Sequence, residues 1–289
     1  MKNLDLLPNV VFVGAEKSGS TTIHRVLSKH PDIFAIPKET EFFTFYKKNK
    51  KRSFFINNLD DYNNLYNKAR GKKIRLDVST TYLHSNYAIN TIKSFVNNPK
   101  IIICLRNPID RAYSRYWMSA KTNHDLVEYS AAKFKDYFNN HKTDIEGLNV
   151  RNRGLYFEHV DKYIKKFESK NVLVLFYDDL IKNNVDFFNT IYSFLNINKI
   201  NIKVDIYADS LISKKNIINK FFNLYLTNEK LSALVPGFFK KILRFLRRMI
   251  LDKYPIIGHE ERIFLKDFYI NDIKKLEKLL NKDLGGWLR

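Results

Sequence analysis

The chain has 289 residues, 45% hydrophobic, with 50 Lys+Arg against 30 Asp+Glu for a net charge of +20. That length and apolar content can bury a large core, as one α/β domain or as such a domain with a helical extension. No run of about 18 apolar residues is present, which excludes a long apolar membrane span, and the single cysteine, Cys104, excludes an intrachain disulfide.

A lone cysteine inside an apolar run fits a reducing compartment. The leading MKNLDLLPN is too short and polar for a signal peptide, so a cytoplasmic location is expected. The lysines are scattered through every predicted helix, and no nucleic-acid motif accompanies them. The charge therefore reads as a solvated surface that prefers anionic ligands, with no nucleic-acid partner expected.

Val10–Val13 is an uninterrupted β-branched and aromatic run, the pattern of a strand buried on both faces of a parallel sheet. Gly14 to Ser20 turn the chain, and Thr21 opens a helical periodicity with Ile23, Val26 and Leu27. Strand, glycine-bearing loop and helix N-terminus together favour an anion, through loop amides and the helix dipole. A triphosphate-binding loop is GxxxxGK[ST]. Gly14, Gly19 and Thr21 keep that spacing, but Ser20 stands in the lysine position and Lys17 lies three residues earlier. The P-loop lysine reaches β- and γ-phosphates, so its displacement argues for a shorter 5′ anion. A glycine-bearing turn without a ligand is the plain alternative, which the hydroxyls of Ser18, Ser20, Thr21 and Thr22 disfavour.

Farther on, Ile33–Ile36 reads as a short strand, followed by PKETEFFTF. There Glu39 and Glu41, beside Lys38 and ahead of Phe42 and Phe43, suit a general base in a half-buried cleft, or a solvated turn before a core aromatic pair. Residues 46–72 read as a loop with short helical pieces. Ile74–Val78 is a further buried strand, followed by Ser79-Thr80-Thr81-Tyr82. A helix over roughly Asn86–Val96 leads to the strand Ile101–Leu105. Arg106 follows it directly, at the end of a parallel strand where ligands of open α/β sheets bind. Pro108 suits a helix N1 position, and Arg106 with Ser114 can grip a second phosphate. A surface arginine with a capping motif is the alternative. No strand ends in a Walker B aspartate, so no metal site is expected.

A polar helical stretch is predicted over about Tyr116–His141, a helix over Phe157–Phe167, a strand over Val172–Tyr177 and a helix over Asp178–Leu195. The alternation predicts a parallel sheet with crossover helices. Beyond Ile200 no strand is expected. Two basic amphipathic segments fill 216–251; the stretch 238–251 suits either an anionic membrane surface or a lid over the sheet. A last helix, about Glu260–Leu280, precedes Trp287, expected to pack as a terminal anchor.

Together these residues resemble the sulfotransferases that use 3′-phosphoadenosine 5′-phosphosulfate (PAPS), in their glycan and heparan-sulfate branch. GAEKSGSTT is similar to that family's 5′-phosphosulfate loop and CLRNPIDRAYSRY to its 3′-phosphate motif. KETEFF resembles the K-E-x-x-F-F segment, and VSTTYL the S-P-x-Y segment, with Thr80 in place of proline. The similarity covers nearly the whole chain.

The resemblance implies an α/β, P-loop-like three-layer fold with a central parallel β-sheet and a helical C-terminal extension. It implies a single domain over 1–289, about 1–200 being the core and about 201–289 the lid. It also implies sulfuryl transfer from PAPS, leaving 3′,5′-ADP, to a hydroxyl or amine of a glycan or glycolipid, without a metal. Lys17 then contacts the 5′-phosphosulfate, and Ser18, Gly19, Ser20, Thr21 and Thr22 cradle the 5′-phosphate. Arg106 and Ser114 bind the 3′-phosphate, and Glu39 is the base. Glu41 occupies a place where the family often has histidine, which leaves Glu39 against Glu41 open. The family's glycine-rich C-terminal phosphate loop is not evident, and Lys214 or Lys215 stand as substitutes. A P-loop kinase and a non-catalytic nucleotide or polyanion binder remain the other readings of the same loop.

Overall fold

The protein is described by a computed structural model over residues 7–47, 56–122, 133–140, 150–202, 204, 211–212, 252–253 and 255–289. Its first half holds β1 (Val10–Gly14), α1 (Ser20–Leu27), β2 (Ile33–Ala35), α2 (Phe42–Phe45), α3 (Leu59–Asn64), β3 (Ile74–Val78) and α4 (Asn86–Phe95). There follow β4 (Lys100–Leu105), α5 (Pro108–Thr122), α6 (Phe134–Asn140), α7 (Phe157–Phe167), β5 (Val172–Phe176), α8 (Tyr177–Lys182) and α9 (Asn184–Leu195). The described chain closes with β6 (Leu211–Ile212), β7 (Asp252–Lys253) and α10 (His259–Leu280).

The five long-range strands form one parallel sheet in the order β2-β3-β1-β4-β5. Strand alternation sorts its side chains into two cores. Val11, Val13, Ile101, Ile103 and Leu105 face α4, α5, α7 and α10. Val10, Phe12, Leu76, Val78, Ile102 and Cys104 face α1 and α9. Both faces are therefore covered, which is why β1 and residues 101–105 of β4 read as unbroken apolar runs. Each fully buried aliphatic or aromatic side chain contributes roughly 1.5–3 kcal/mol.

The chain leaves β1 toward β2 and leaves β4 toward β5, so the direction of winding reverses at the centre of the sheet. In an open α/β sheet such a reversal leaves a crevice between the loops at the carboxyl ends of the two strands, here β1 and β4, and ligands bind there. The register with β4 shifts between Phe12 and Gly14, and the Ala15 amide still donates to the Cys104 carbonyl at 2.7 Å, so the loop starts out held against β4.

Two expectations need correction. The predicted helix over 178–195 is two helices, because Asn183 caps the second: its side chain accepts from the Asp186 amide and its backbone is non-helical. A strand pair does exist beyond residue 200, since β6 and β7 form a short antiparallel ladder. The polar stretch after Tyr116 begins as the continuation of α5. The basic segment 238–251, Lys214 and Lys215 lie outside the described residues. No helix among the described residues is long and apolar enough to cross a membrane.

Candidate active site

The loop after β1 is folded by positive-φ backbone at Lys17 (φ 62°) and Gly19 (φ 83°). Gly19 is also the cap of α1, and it has no side chain to offer the first amides. The first turn carries no carboxylate. A Cβ at Gly19 would come within 2.8 Å of Leu180 Cδ2 and 3.1 Å of Tyr177, so glycine answers to both backbone and space. A helix N-terminus without a side-chain cap or a carboxylate in its first turn favours negative charge. Ser18, Ser20 and Thr22 are buried and Thr21 is half-buried. Lys17 is half-buried, with Nζ 3.5 Å from Met118 Sδ on α5.

The two expected phosphate motifs meet. Arg106 donates from Nη1 to the Lys17 carbonyl oxygen at 3.1 Å, and its guanidinium lies 4.8 Å from the Tyr177 ring centre. Tyr156 Oη donates to the Arg106 carbonyl at 3.0 Å. Asn107 caps α5 by accepting from the Ile109 amide, and its Nδ2 donates to the Trp287 carbonyl at 3.1 Å. Ser114 is buried on α5 two turns on. The Trp287 indole is buried and donates to Asp178 Oδ2 at 2.8 Å, which makes it the terminal anchor expected.

Glu39 stands on the other side of the same crevice. Its amide donates to the Val78 carbonyl at 2.8 Å, which fixes the KETEFF turn to the end of β3. Its carboxylate accepts from the Thr80 amide at 2.9 Å and from Lys38 Nζ at 2.5 Å. The side chain remains 31% exposed. Glu41, by contrast, is buried and bonded by the Thr81 hydroxyl. Burial, the Glu39 charge and a hydrogen bond to Glu39 push the Glu41 carboxyl well above the usual carboxylate range. Of the two glutamates left open by the sequence, only Glu39 keeps both a charge-stabilising set of donors and access to solvent.

Sequence reasoning missed two clusters. Glu16, inside the anion loop, is held by Arg111 Nη1 at 2.9 Å and Arg153 Nη1 at 2.8 Å, with Arg115 Nε at 3.7 Å. Burial alone would raise its carboxyl, but the charges of Arg153, Arg115 and Arg111 outweigh that and hold it at about 2. Three guanidinium groups on one carboxylate leave net positive charge behind the loop. The signal was available: a carboxylate in an anion loop demands neutralisation, and arginines at 111 and 115 share one helix face. The second cluster centres on Asp77, buried in β3 below the Glu39 turn.

A model of the sulfotransferase domain family matches residues 7–249 of the chain. The human bifunctional heparan sulfate N-deacetylase/N-sulfotransferase 2 is 26% identical over 306 residues, covering 100% of this chain and 31% of that protein. The human heparan sulfate glucosamine 3-O-sulfotransferase 6 is 22% identical over 193 residues, covering 67% of this chain and 53% of that protein. The chain thus spans about a third of the length of the bifunctional relative. Among solved structures, a sulfotransferase from Alicyclobacillus acidocaldarius superposes with a TM-score of 0.71 at 23% identity, over 98% of this chain and 99% of that one.

Proposed function

The chain belongs to the sulfotransferase domain family, and from that premise we propose that it moves a sulfuryl group from PAPS to a hydroxyl or amine of a carbohydrate-like acceptor. What supports this reading most is the convergence of Lys17 and Glu39 on one end of the sheet. A Cβ on Gly14 would come within 3.2 Å of the Thr80 carbonyl, and Thr80 is the residue that holds the Glu39 carboxylate. The start of the anion loop and the base are therefore packed against the same residue. The relatives named for heparan sulfate support a glycan acceptor, and a glycolipid headgroup presents the same chemistry.

PAPS supplies an activated sulfuryl group on a 5′-phosphate together with a separate 3′-phosphate, and 3′,5′-ADP is what remains. Ser18, Gly19, Ser20, Thr21 and Thr22 form the cradle at the start of α1 for the 5′-phosphate, with its uncapped helix end favouring negative charge. Arg106 and Ser114 are assigned to the 3′-phosphate; Arg106 keeps further N–H groups beyond the one on Lys17 O. Lys17 neutralises the bridging oxygen as the sulfur–oxygen bond breaks. Glu39 takes the proton from the acceptor as the new bond to sulfur forms. The cytoplasm is the compartment proposed, since Cys104 is free and buried in β4, where burial pushes its thiol well up.

Transfer of labelled sulfate from PAPS to de-N-sulfated heparan sulfate tests this reading, with Mg-ATP as the competing donor. Lys17→Ala is expected to lower turnover by about 10²–10³ and to weaken nucleotide binding as well. Glu39→Gln is expected to lower it by about 10²–10⁴ while 3′,5′-ADP affinity stays unchanged. Near-normal turnover in Glu39→Gln together with a dead Glu41→Gln would move the base to Glu41.

A further inference from the structure

Asp77 sits fully buried in β3, under the turn that carries Glu39. Four hydroxyl groups hold it. Tyr62 Oη donates to Oδ2 at 2.6 Å, Tyr82 Oη at 3.1 Å and Thr40 Oγ1 at 3.4 Å, while Ser79 Oγ donates to Oδ1 at 3.1 Å. Two of these hydroxyls also hold the turn's backbone. Ser79 Oγ accepts from the Glu41 amide at 3.3 Å, and Tyr82 Oη accepts from the Phe43 amide at 3.4 Å. Glu39 and Glu41 both have positive φ, 62° and 56°, a conformation non-glycine residues keep only when their surroundings impose it.

We propose that Asp77 is a positioning residue for the base: through Ser79, Tyr82 and Thr40 it fixes the backbone of residues 40–43, so that the Glu39 carboxylate stays seated on Thr80 at the mouth of the crevice. This inference rests on the assignment of Glu39 as the base. Asp77 is an acceptor on both oxygens, and that orders the hydroxyl protons: Ser79 and Tyr82 each spend the proton on Asp77 and turn a lone pair toward a turn amide, while Thr40 ties its own side chain to the same carboxylate.

Stability does not explain the charge. Burial pushes the Asp77 carboxyl up to about 6, against the lowering effect of the hydrogen bonds from Tyr62, Tyr82 and Ser79. A carboxyl raised by folding stabilises the fold below its ordinary value near 3.8, and that contribution is lost as pH rises through 6. At neutral pH the ionised group therefore works against stability. The titratable groups that interact with it are the carboxyls of Glu39 and Glu41 and the phenols of Tyr62, Tyr66 and Tyr82, and the hydroxyls of Ser79 and Thr40 complete its polar surroundings.

The test uses Ser79→Ala and Asp77→Asn, each alone and combined with Glu39→Gln. Formation of 3′,5′-ADP from PAPS is followed with de-N-sulfated heparan sulfate and with water as acceptors. Hydrogen exchange of the Glu41 and Phe43 amides is measured beside it. Ser79→Ala, which removes one hydroxyl and keeps the fold, is expected to lower kcat about 10- to 100-fold, with 3′,5′-ADP affinity within about twofold of wild type. Asp77→Asn is expected to do the same. In the Glu39→Gln background neither should cost anything further, because both act through that carboxylate. Wild-type kcat in Ser79→Ala, or losses that multiply with Glu39→Gln, would overturn the proposal. Should Glu39→Gln itself keep full activity, the base assignment fails, and exchange decides the tether alone. Exchange of the Glu41 amide about tenfold faster in Ser79→Ala upholds it, and unchanged exchange sinks it.

Discussion

Glu16 places a negative charge inside the loop proposed to hold an anion, and its partners explain why it is tolerated. Arg111 and Arg153 come from 95 and 137 residues away in sequence to bind its two oxygens. Arg111 is itself fully buried and donates to the Val150 carbonyl at 2.6 Å. The carboxylate thus fixes the loop from behind while leaving surplus positive charge. Its carboxyl is held at about 2 in the fold against an ordinary value of 4.5. A depressed acid stabilises the fold above the unfolded value and loses that contribution as pH falls through the folded one. Glu16→Gln should therefore destabilise the protein by on the order of 3 kcal/mol at pH 7. The deficit should shrink between pH 4.5 and about 2. Urea unfolding at pH 7, 4.5 and 3 measures it, and a deficit that does not change with pH would detach the effect from ionisation. Lys17, Arg106 and Glu39 could be singled out in the sequence because each sits in a local motif with fixed spacing, and the fold gathers them at one end of the sheet. Glu16 and Asp77 were not, because what defines them is the set of partners that folding brings from distant segments.

The turn Gly285–Leu288 shows how an element far from the chemistry in sequence supports it in space. Its Trp287 carbonyl accepts from Asn107, the cap of α5, and its indole donates to Asp178 in the first turn of α8. Asn107 follows Arg106 directly, and Tyr177, under the Arg106 guanidinium, precedes Asp178. Trp287→Ala should cost about 3–5 kcal/mol of stability through the cavity it leaves. It should also weaken 3′,5′-ADP binding more than 5′-AMP binding, because the Arg106 side of the site loses its support. Calorimetric titration of both nucleotides checks this, and equal losses would mean that the turn stabilises the fold without positioning Arg106. At this scale the strands and α7 were readable, since Ile74–Val78 and Phe157–Phe167 carry clean periodicity. The break at Asn183 was not, because the apolar pattern runs through it and only the cap geometry shows the stop. The ladder between residues 211–212 and 252–253 pairs segments 40 residues apart and leaves no local pattern to read.

For the whole molecule, the order of strands decides which motifs can share a ligand. The alternation of strands and helices in the sequence announces a parallel sheet, but it does not order the strands. Placing β1 between β3 and β4 sets the anion loop between Thr80 with Glu39 on one side and Arg106 on the other. Under the proposed assignment, a nucleotide with phosphates at both 5′ and 3′ positions would engage both halves of that arrangement, the cradle at α1 and the arginine after β4. One with a 5′-phosphate alone engages only the cradle. A ligand that binds only the folded state stabilises it by about 2.7 kcal/mol at a hundred times its dissociation constant. In a domain of this size that raises Tm by roughly 4–5 °C. At equal concentration 3′,5′-ADP should therefore raise Tm by several degrees and 5′-AMP by far less, with EDTA making no difference. In Arg106→Ala the advantage of 3′,5′-ADP should disappear, and the small shift with 5′-AMP should shrink too, because Arg106 also holds the Lys17 carbonyl. If the two nucleotides stabilise the wild type equally, Arg106 serves only as a brace for the loop, and the 3′-phosphate must be met by residues elsewhere in the chain.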